Sequence, residues 1–280
     1  MDTLEKLNAH PRDQYITFDE GPHIYTIKGN SDYTSVTTWN HMHFQHFDAD
    51  LVIDKMMKGR NWNPGNKWYG KTKDEIKKAW EDLGTVASTE GTKMHYNIEC
   101  YYNGLPVDEQ GKNTTEFQYF LKFASDYSYL KPYRTEWMIY DEELKFAGSV
   151  DMLFKNADGT LEIYDWKRSK EIKMDNKYQS GITECVSHLP DCNFYHYSLQ
   201  LNTYKAILEK NYGERISGLY LVCLHPNNPN NSYIRIKCAD LSEEVKALFE
   251  YRKRMLRGEI LQSDEEDEGE DEGWLGSSSD

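Results

Sequence analysis

Phe146-Ala147-Gly148-Ser149-Val150-Asp151-Met152-Leu153-Phe154-Lys155-Asn156-Ala157-Asp158-Gly159-Thr160-Leu161-Glu162-Ile163-Tyr164-Asp165-Trp166-Lys167 reads as two strands, Lys145 to Phe154 and Thr160 to Lys167, joined by a polar turn. The length of that turn decides which side chains share a face, because a slip of one residue moves every side chain to the other side of the sheet. A two-residue Asp158-Gly159 loop sets Asp151 opposite Trp166. A three-residue loop, Ala157 to Gly159 with Gly159 in the left-handed conformation, pairs Asn156 with Thr160 and sets Asp151 opposite Asp165. The sequence permits both. We favour the second, which brings two carboxylates together on one face with Lys167 beside Asp165. Like charges so placed repel unless a cation lies between them, and paired carboxylates are what a hard divalent cation such as Mg²⁺ takes up. Glu162 then falls on the opposite face and is not counted as a ligand.

Working outward, a strand near Arg134 to Tyr140 completes an antiparallel meander with the hairpin. Before it, periodicity predicts helices over Asp48 to Met57, Lys73 to Leu83, Ser88 to Tyr102 and Thr115 to Tyr127. An N-terminal hairpin is expected from Tyr15 to Phe18 and His23 to Ile27, around the turn Asp19-Glu20-Gly21-Pro22. After the meander come an irregular stretch from Arg168 to Phe194, a helix from Tyr195 to Lys210, strands near Ser217 to Leu224 and Tyr233 to Lys237, and a helix from Leu241 to Arg257.

The 280 residues carry a formal charge of −14. That balance would argue against a polyanionic partner if it were spread evenly. It is not: nine of the 47 acidic residues and no base lie in Ser263 to Asp280, leaving 38 acids against 33 bases elsewhere. The run Asp264-Glu265-Glu266-Asp267-Glu268 reads as a solvated, disordered acidic tail over 263–280. The five cysteines are odd in number and form no Cys-x-x-Cys pair, so neither a disulfide framework nor a zinc ribbon is expected. No apolar run reaches the roughly 20 residues of a membrane span, and the start Met1-Asp2-Thr3-Leu4-Glu5 lacks a signal-peptide core, so an intracellular soluble protein with no membrane partner is expected.

Gly148-Ser149-Val150-Asp151 followed across a short hairpin by Asp165-Trp166-Lys167 resembles the core motif of the PD-(D/E)XK nuclease superfamily. Upstream, Gly91-Thr92-Lys93-Met94-His95-Tyr96-Asn97-Ile98-Glu99 sets Gly91, His95 and Glu99 on one helical stripe. It is similar to the Gly-x-x-x-His segment of the RecB-type exonuclease branch. Downstream, Gln200-Leu201-Asn202-Thr203-Tyr204 resembles that branch's Gln-x-x-x-Tyr motif. Singly, His95, Gln200 and Tyr204 would read as packing residues. The resemblance covers roughly Ala87 to Leu224 and extends in general character to viral, phage and mitochondrial exonucleases. Trp166 departs from the pattern, standing where relatives often carry a smaller or aliphatic residue.

Taken with the element order, the resemblance implies an α/β (α+β) fold: a central mixed sheet of about five strands, containing the antiparallel hairpin and flanked by helices, with an N-terminal hairpin and helical elaboration. One nuclease domain is expected over 1–262, with 1–84 the elaboration and 85–262 the core. The implied cofactor is Mg²⁺ or Mn²⁺, as one or two ions; some nucleases of this superfamily carry an iron-sulfur cluster, but the cysteine spacing does not reproduce its ligand pattern and none is expected. It would activate water and neutralise developing phosphate charge, held by His95, Asp151, Asp165 and the backbone carbonyl of Trp166. Lys167 is the catalytic cation. Glu99 and Glu136 are expected as supporting or second-ion residues, and Gln200 and Tyr204 as positioning residues. Arg168, Lys170 and Lys173 leave the site on the long irregular stretch and are candidates for phosphate contacts. Trp62 and Trp68, interleaved with bases, are candidates for base stacking. The implied partner is DNA, single-stranded or with a free end, in replication, repair or recombination. The alternatives are a ribonuclease and an inactive nucleic-acid-binding scaffold of the same fold.

Overall fold

A computed structural model describes residues 3–260; the acidic stretch 263–280 lies outside the described residues. The chain divides into two units, residues 3–45 with 93–260, and residues 46–92.

In the smaller unit, α3 (Ala49–Lys58) is capped by Asp48, whose Oδ1 accepts from Leu51 N at 2.9 Å. Ion pairs Lys73–Asp54 and Lys77–Asp50 tie α3 to the first turns of α4 (Lys73–Tyr102). Two helices were expected where α4 runs unbroken for 30 residues. Gly84 and Gly91 lie inside it, and each weakens a helix by about 1 kcal/mol relative to Ala. No proline interrupts the run, so no backbone N–H is missing from the helical ladder across Lys73–Tyr102.

The larger unit opens with α1 (Leu4–Leu7) and the expected hairpin, β1 (Ile16–Asp19) paired with β2 (Ile24–Ile27). β3 (Thr34–Ser35) leads into α2 (Val36–His41), where Ser35 Oγ accepts from Thr38 N at 2.9 Å. The β-branched run Val36-Thr37-Thr38 hides this helix from propensity reasoning; the cap and the burial of Trp39 stabilise it. After the C-terminal turns of α4 come α5 (Glu109–Lys112), α6 (Thr115–Asp126), β4 (Lys131–Asp141), β5 (Phe146–Lys155), β6 (Leu161–Lys167), α7 (Asn193–Asn211), β7 (Ile216–Cys223), β8 (Ile234–Lys237) and α8 (Ser242–Leu256).

The main sheet is mixed, as expected. β4, β5 and β6 form the antiparallel meander, β7 joins β6 in parallel after the α7 crossover, and β8 closes antiparallel on β7. The short β3 adds a sixth strand, parallel to β5. One face is covered by α2, α7 and α8 over Ile139, Leu153, Ile163 and Leu221. The other is covered by α6 and the end of α4 over Met152, Phe154, Tyr164, Trp166 and Val222. None of the described helices is long and apolar enough to cross a membrane.

The hairpin adopts the three-residue loop. Asn156 N donates to Thr160 O at 2.8 Å, Gly159 N donates to Asn156 O at 3.0 Å, and Gly159 has φ +83°. The register runs from Lys155 opposite Leu161 to Met152 opposite Tyr164, where the ladder ends; continued by one residue, it leads Asp151 toward Asp165 rather than Trp166. Burial accounts for the choice. A slip by one would set Met152 opposite Asp165 and push a carboxylate into the apolar face beneath α6.

His43 follows α2 and is fully buried against Trp39, with Nδ1 2.8 Å from Thr183 Oγ1. Burial pushes its pKa down to about 4. The unfolded chain titrates near 6.5, so the folded state binds fewer protons between those values. Stability present above pH 6.5 is therefore lost as the pH falls toward 4. Between pH 7 and pH 5 this group should cost about 2 kcal/mol. Urea unfolding should show that loss in the wild type, and His43→Phe should lack it; identical slopes in the two proteins would refute the assignment.

Candidate active site

The site forms where the regular sheet opens. β5 pairs with β4 along one edge; on its other edge it meets β3 at Phe146 and Ala147, and β6 only from Met152 to Lys155. Gly148 to Asp151 lies between those two partners. There the Asp151 side chain takes over from the ladder, its Oδ2 accepting from Trp166 N at 2.9 Å. Val150 and Leu153 both face α7, whereas Met152 and Phe154 face α6, so strict alternation is broken beside Asp151. Glu136 sits across from it on β4, between the pairs Thr135–Met152 and Trp137–Val150. Its φ of +42° is costly for a residue with a side chain, of order 1–3 kcal/mol. That strain is spent on aiming a carboxylate, which Ser149 Oγ holds by donating to Oε2 at 3.0 Å.

α4 supplies the imidazole. Met94 and Ile98 bury in the core beneath α4 and α6, and this rotation sets His95 at the edge of the sheet. His95 Nε2 lies 2.9 Å from Trp166 O. A carbonyl only accepts, so Nε2 carries the proton and donates, leaving Nδ1 turned to the acids. Nδ1 is 3.5 Å from Asp151 Oδ2 and 3.6 Å from Glu136 Oε1. His95, Glu136 and Asp151 offer ligand atoms that all lie within 4.8 Å of one another. Asp165 and Lys167 project from the end of β6, with Nζ 2.8 Å from Asp165 Oδ2.

The electrostatics call for positive charge. Burial and the Asp165 carboxylate hold the Asp151 carboxyl well above the usual range. Burial presses the His95 pKa down, but Asp151 and Glu136 outweigh it and raise it to about 9. Burial likewise opposes charge on Lys167, and Asp165, Tyr197 and Asp151 more than restore it. Asp165 Oδ2 is buried and makes no well-formed hydrogen bond despite the nearby ammonium. Oxygen donors with one imidazole nitrogen, short of compensating charge, fit a hard divalent cation.

The residues singled out from sequence are distributed as follows. His95, Asp151 and Glu136 come together, with Glu136 in the inner group rather than behind it. Asp165 stands with Lys167 outside that trio, and the Trp166 carbonyl receives the imidazole N–H. Glu99 lies one helical turn beyond His95, its carboxyl pushed up by burial and by Glu136. Gln200 Nε2 donates to Thr37 Oγ1 at 2.9 Å and to Tyr204 Oη at 3.3 Å. The Tyr204 ring lies so close to Gly148 that a Cβ there would sit 2.7 Å from it; the glycine of the Gly148-Ser149-Val150-Asp151 motif makes room for that ring. Arg168 is held by Glu116, with Nε 2.7 Å from Oε1. Lys170 is exposed, and Lys173 is half-buried with its N–H bonded to Asn193 Oδ1. In the smaller unit Trp62 packs near Tyr69 and Trp68 against Trp80, with the Lys67 and Lys71 ammoniums 5.0 and 5.1 Å from the Trp68 ring centre.

A family model of the PD-(D/E)XK nuclease superfamily matches residues 73–272. The chain belongs to that superfamily. No curated protein matches it. Among solved structures it is similar to a crystal structure from Eubacterium rectale whose protein carries the provisional name exonuclease. The two are 13% identical over 82% of this chain and 83% of the other, with a TM-score of 0.36, a likeness too loose to decide anything further.

As a PD-(D/E)XK nuclease the chain acts on nucleic acid, and the group of His95, Glu136 and Asp151 is suited to the divalent ion such nucleases typically use. One residue of this nuclease escaped the sequence reading. Tyr197 on α7 lies with its ring centre 4.5 Å from Lys167 Nζ. The signal was present, since Tyr197, Gln200 and Tyr204 are spaced i, i+3 and i+7 on one helical stripe.

Proposed function

We propose that this nuclease is a Mg²⁺- or Mn²⁺-dependent exonuclease or end-processing enzyme acting on single-stranded DNA. The observation that carries the reading is the presentation of His95 Nδ1 to Asp151 and Glu136 beside the Asp165–Lys167 pair. The preference for ends is supported by the resemblance of the His95 and Gln200/Tyr204 segments to the RecB-type exonuclease branch.

His95, Glu136 and Asp151 hold the ion in this reading, with Asp165 opposite Asp151. When bound, the ion supplies Lewis-acid charge and lowers the pKa of water. The Trp166 carbonyl fixes the His95 ring orientation by accepting from Nε2, so that Nδ1, protonated toward the acids while no ion is bound, would release that proton and offer its lone pair to the ion. Asp165 keeps Lys167 protonated, and the ammonium, mostly buried but still reachable, holds the scissile phosphate. Lys170 and Lys173 contact flanking phosphates.

The test compares end-labelled linear single-stranded DNA with a closed circle of the same sequence, and with RNA, in Mg²⁺ and in Mn²⁺. Mononucleotides should leave the linear DNA while the circle stays intact. Nicking of the circle would replace exonuclease with endonuclease, and cleavage of RNA alone would make the enzyme a ribonuclease. Wild type as inert as Lys167→Ala on every substrate would leave an inactive binding scaffold.

A further inference from the structure

We infer that Tyr197 is a positioning residue whose ring face holds the Lys167 ammonium in its working place; the inference rests on the assignment of Lys167 as the catalytic cation. Lys167 Nζ has two close neighbours of opposite character, the Asp165 carboxylate at 2.8 Å and the Tyr197 ring, centred 4.5 Å away. Asp165 is a poor sole anchor. The hairpin register, which ends at Met152 and Tyr164, leads Asp165 toward Asp151, so the one carboxylate that the ammonium touches also stands beside the ion-binding group. A long, flexible ammonium side chain tied to one shared carboxylate keeps several rotamers. The π face of an aromatic ring attracts a cation without drawing off its proton or spending its N–H donors, leaving those donors to the substrate.

The ring is itself firmly placed. Two turns along the same stripe of α7, Tyr204 is seated on Gly148 of β5, and Gln200 between them is bonded to Thr37 and to Tyr204. At the start of the helix, His196 Nε2 lies 2.8 Å from Asp191 Oδ1. Asn193 accepts from Lys173 N at 2.8 Å and donates to Glu171 O at 2.8 Å. α7 is thus pinned to β5 at one end and to the loop leaving Lys167 at the other, and the Tyr197 ring bears on Lys167 from between them.

Tyr197→Leu keeps apolar bulk and removes the π face, while Tyr197→Phe keeps the ring and removes the hydroxyl. Tyr197→Leu should lower kcat about tenfold with KM nearly unchanged, and Tyr197→Phe should stay within about twofold of wild type. A second readout does not depend on activity. With ¹³C-labelled lysine, the Lys167 Hε resonance, identified by its loss in Lys167→Arg, should be shifted upfield by the ring in wild type and Tyr197→Phe and return to the ordinary lysine position in Tyr197→Leu. Tyr197→Met provides the same comparison should Tyr197→Leu fail to fold. Equal damage in Tyr197→Phe and Tyr197→Leu would assign the effect to the hydroxyl and overturn the proposal. So would full kcat in Tyr197→Leu, a loss confined to KM, or an unshifted Lys167 resonance in wild type. Full activity in Lys167→Ala is a different failure, of the catalytic assignment itself, and the resonance shift would still report whether the ring holds the ammonium.

Discussion

Asp151→Asn is expected to lower kcat on single-stranded DNA by about 10²–10³-fold while leaving the fold as stable as wild type or more so. The two halves have one cause. Asp151 is nearly buried, and burial together with the opposing Asp165 raises its pKa, so ionising it costs folding free energy in the absence of a cation. Asparagine removes that charge while its Oδ1 still accepts from Trp166 N, the bond the carboxylate makes at 2.9 Å. The same change strips the group of His95, Glu136 and Asp151 of a ligand charge. Sign follows from linkage: a carboxyl whose folded pKa is raised destabilises the folded state above its unfolded pKa near 3.9, increasingly as the pH rises to the folded value. Thermal melting at pH 8 in chelator, paired with turnover in Mn²⁺, checks both halves. A variant that melts well below wild type would show that the carboxylate is a structural anchor, and one with undiminished turnover would remove Asp151 from the catalytic group.

Trp166→Ala is expected to cost about 3–5 kcal/mol of stability, the range for emptying a large aromatic from a packed core. The Trp166 ring is buried among Phe120, Phe123 and Tyr102, at centroid distances of 5.6, 5.4 and 6.4 Å. For a chain of this size the melting temperature should fall by about 10 °C. The backbone of the same residue donates to Asp151 and accepts from His95, so activity should also fall at temperatures where the variant remains folded. Trp166→Phe should recover most of both. A melting shift within about 2 °C for Trp166→Ala would mean that the neighbouring rings close over the space, and the packing argument would fail.

Much of this was legible in order along the chain, because its causes are local. Alternation in Lys145 to Phe154 and Thr160 to Lys167, the turn residues around Asp158-Gly159, and the i, i+4 spacing of Gly91, His95 and Glu99 are short-range facts that needed no partner. They fixed the elements, the motif order and the candidacy of His95, Asp151, Asp165 and Lys167. Local signals failed where competing terms were close. Two helices, Lys73 to Leu83 and Ser88 to Tyr102, were expected where one forms, and β-branched residues concealed α2, which Ser35 and the buried Trp39 secure.

What the tertiary structure alone decided concerns groups far apart in sequence. Two hairpin registers were open, and the choice fell to whichever kept Asp165 out of the apolar face beneath α6. Glu136 entered the inner group because β4 and β5 give up regular alternation at the same point, which no reading of either strand by itself contains. Arg168, free in the sequence, is taken by Glu116 from α6. Tyr197 reaches Lys167 only because the crossover after β6 returns α7 across the sheet. Sequence determines such elements through propensity and spacing, whereas the meeting of one element's side chain with another's is set by which surfaces exclude water together.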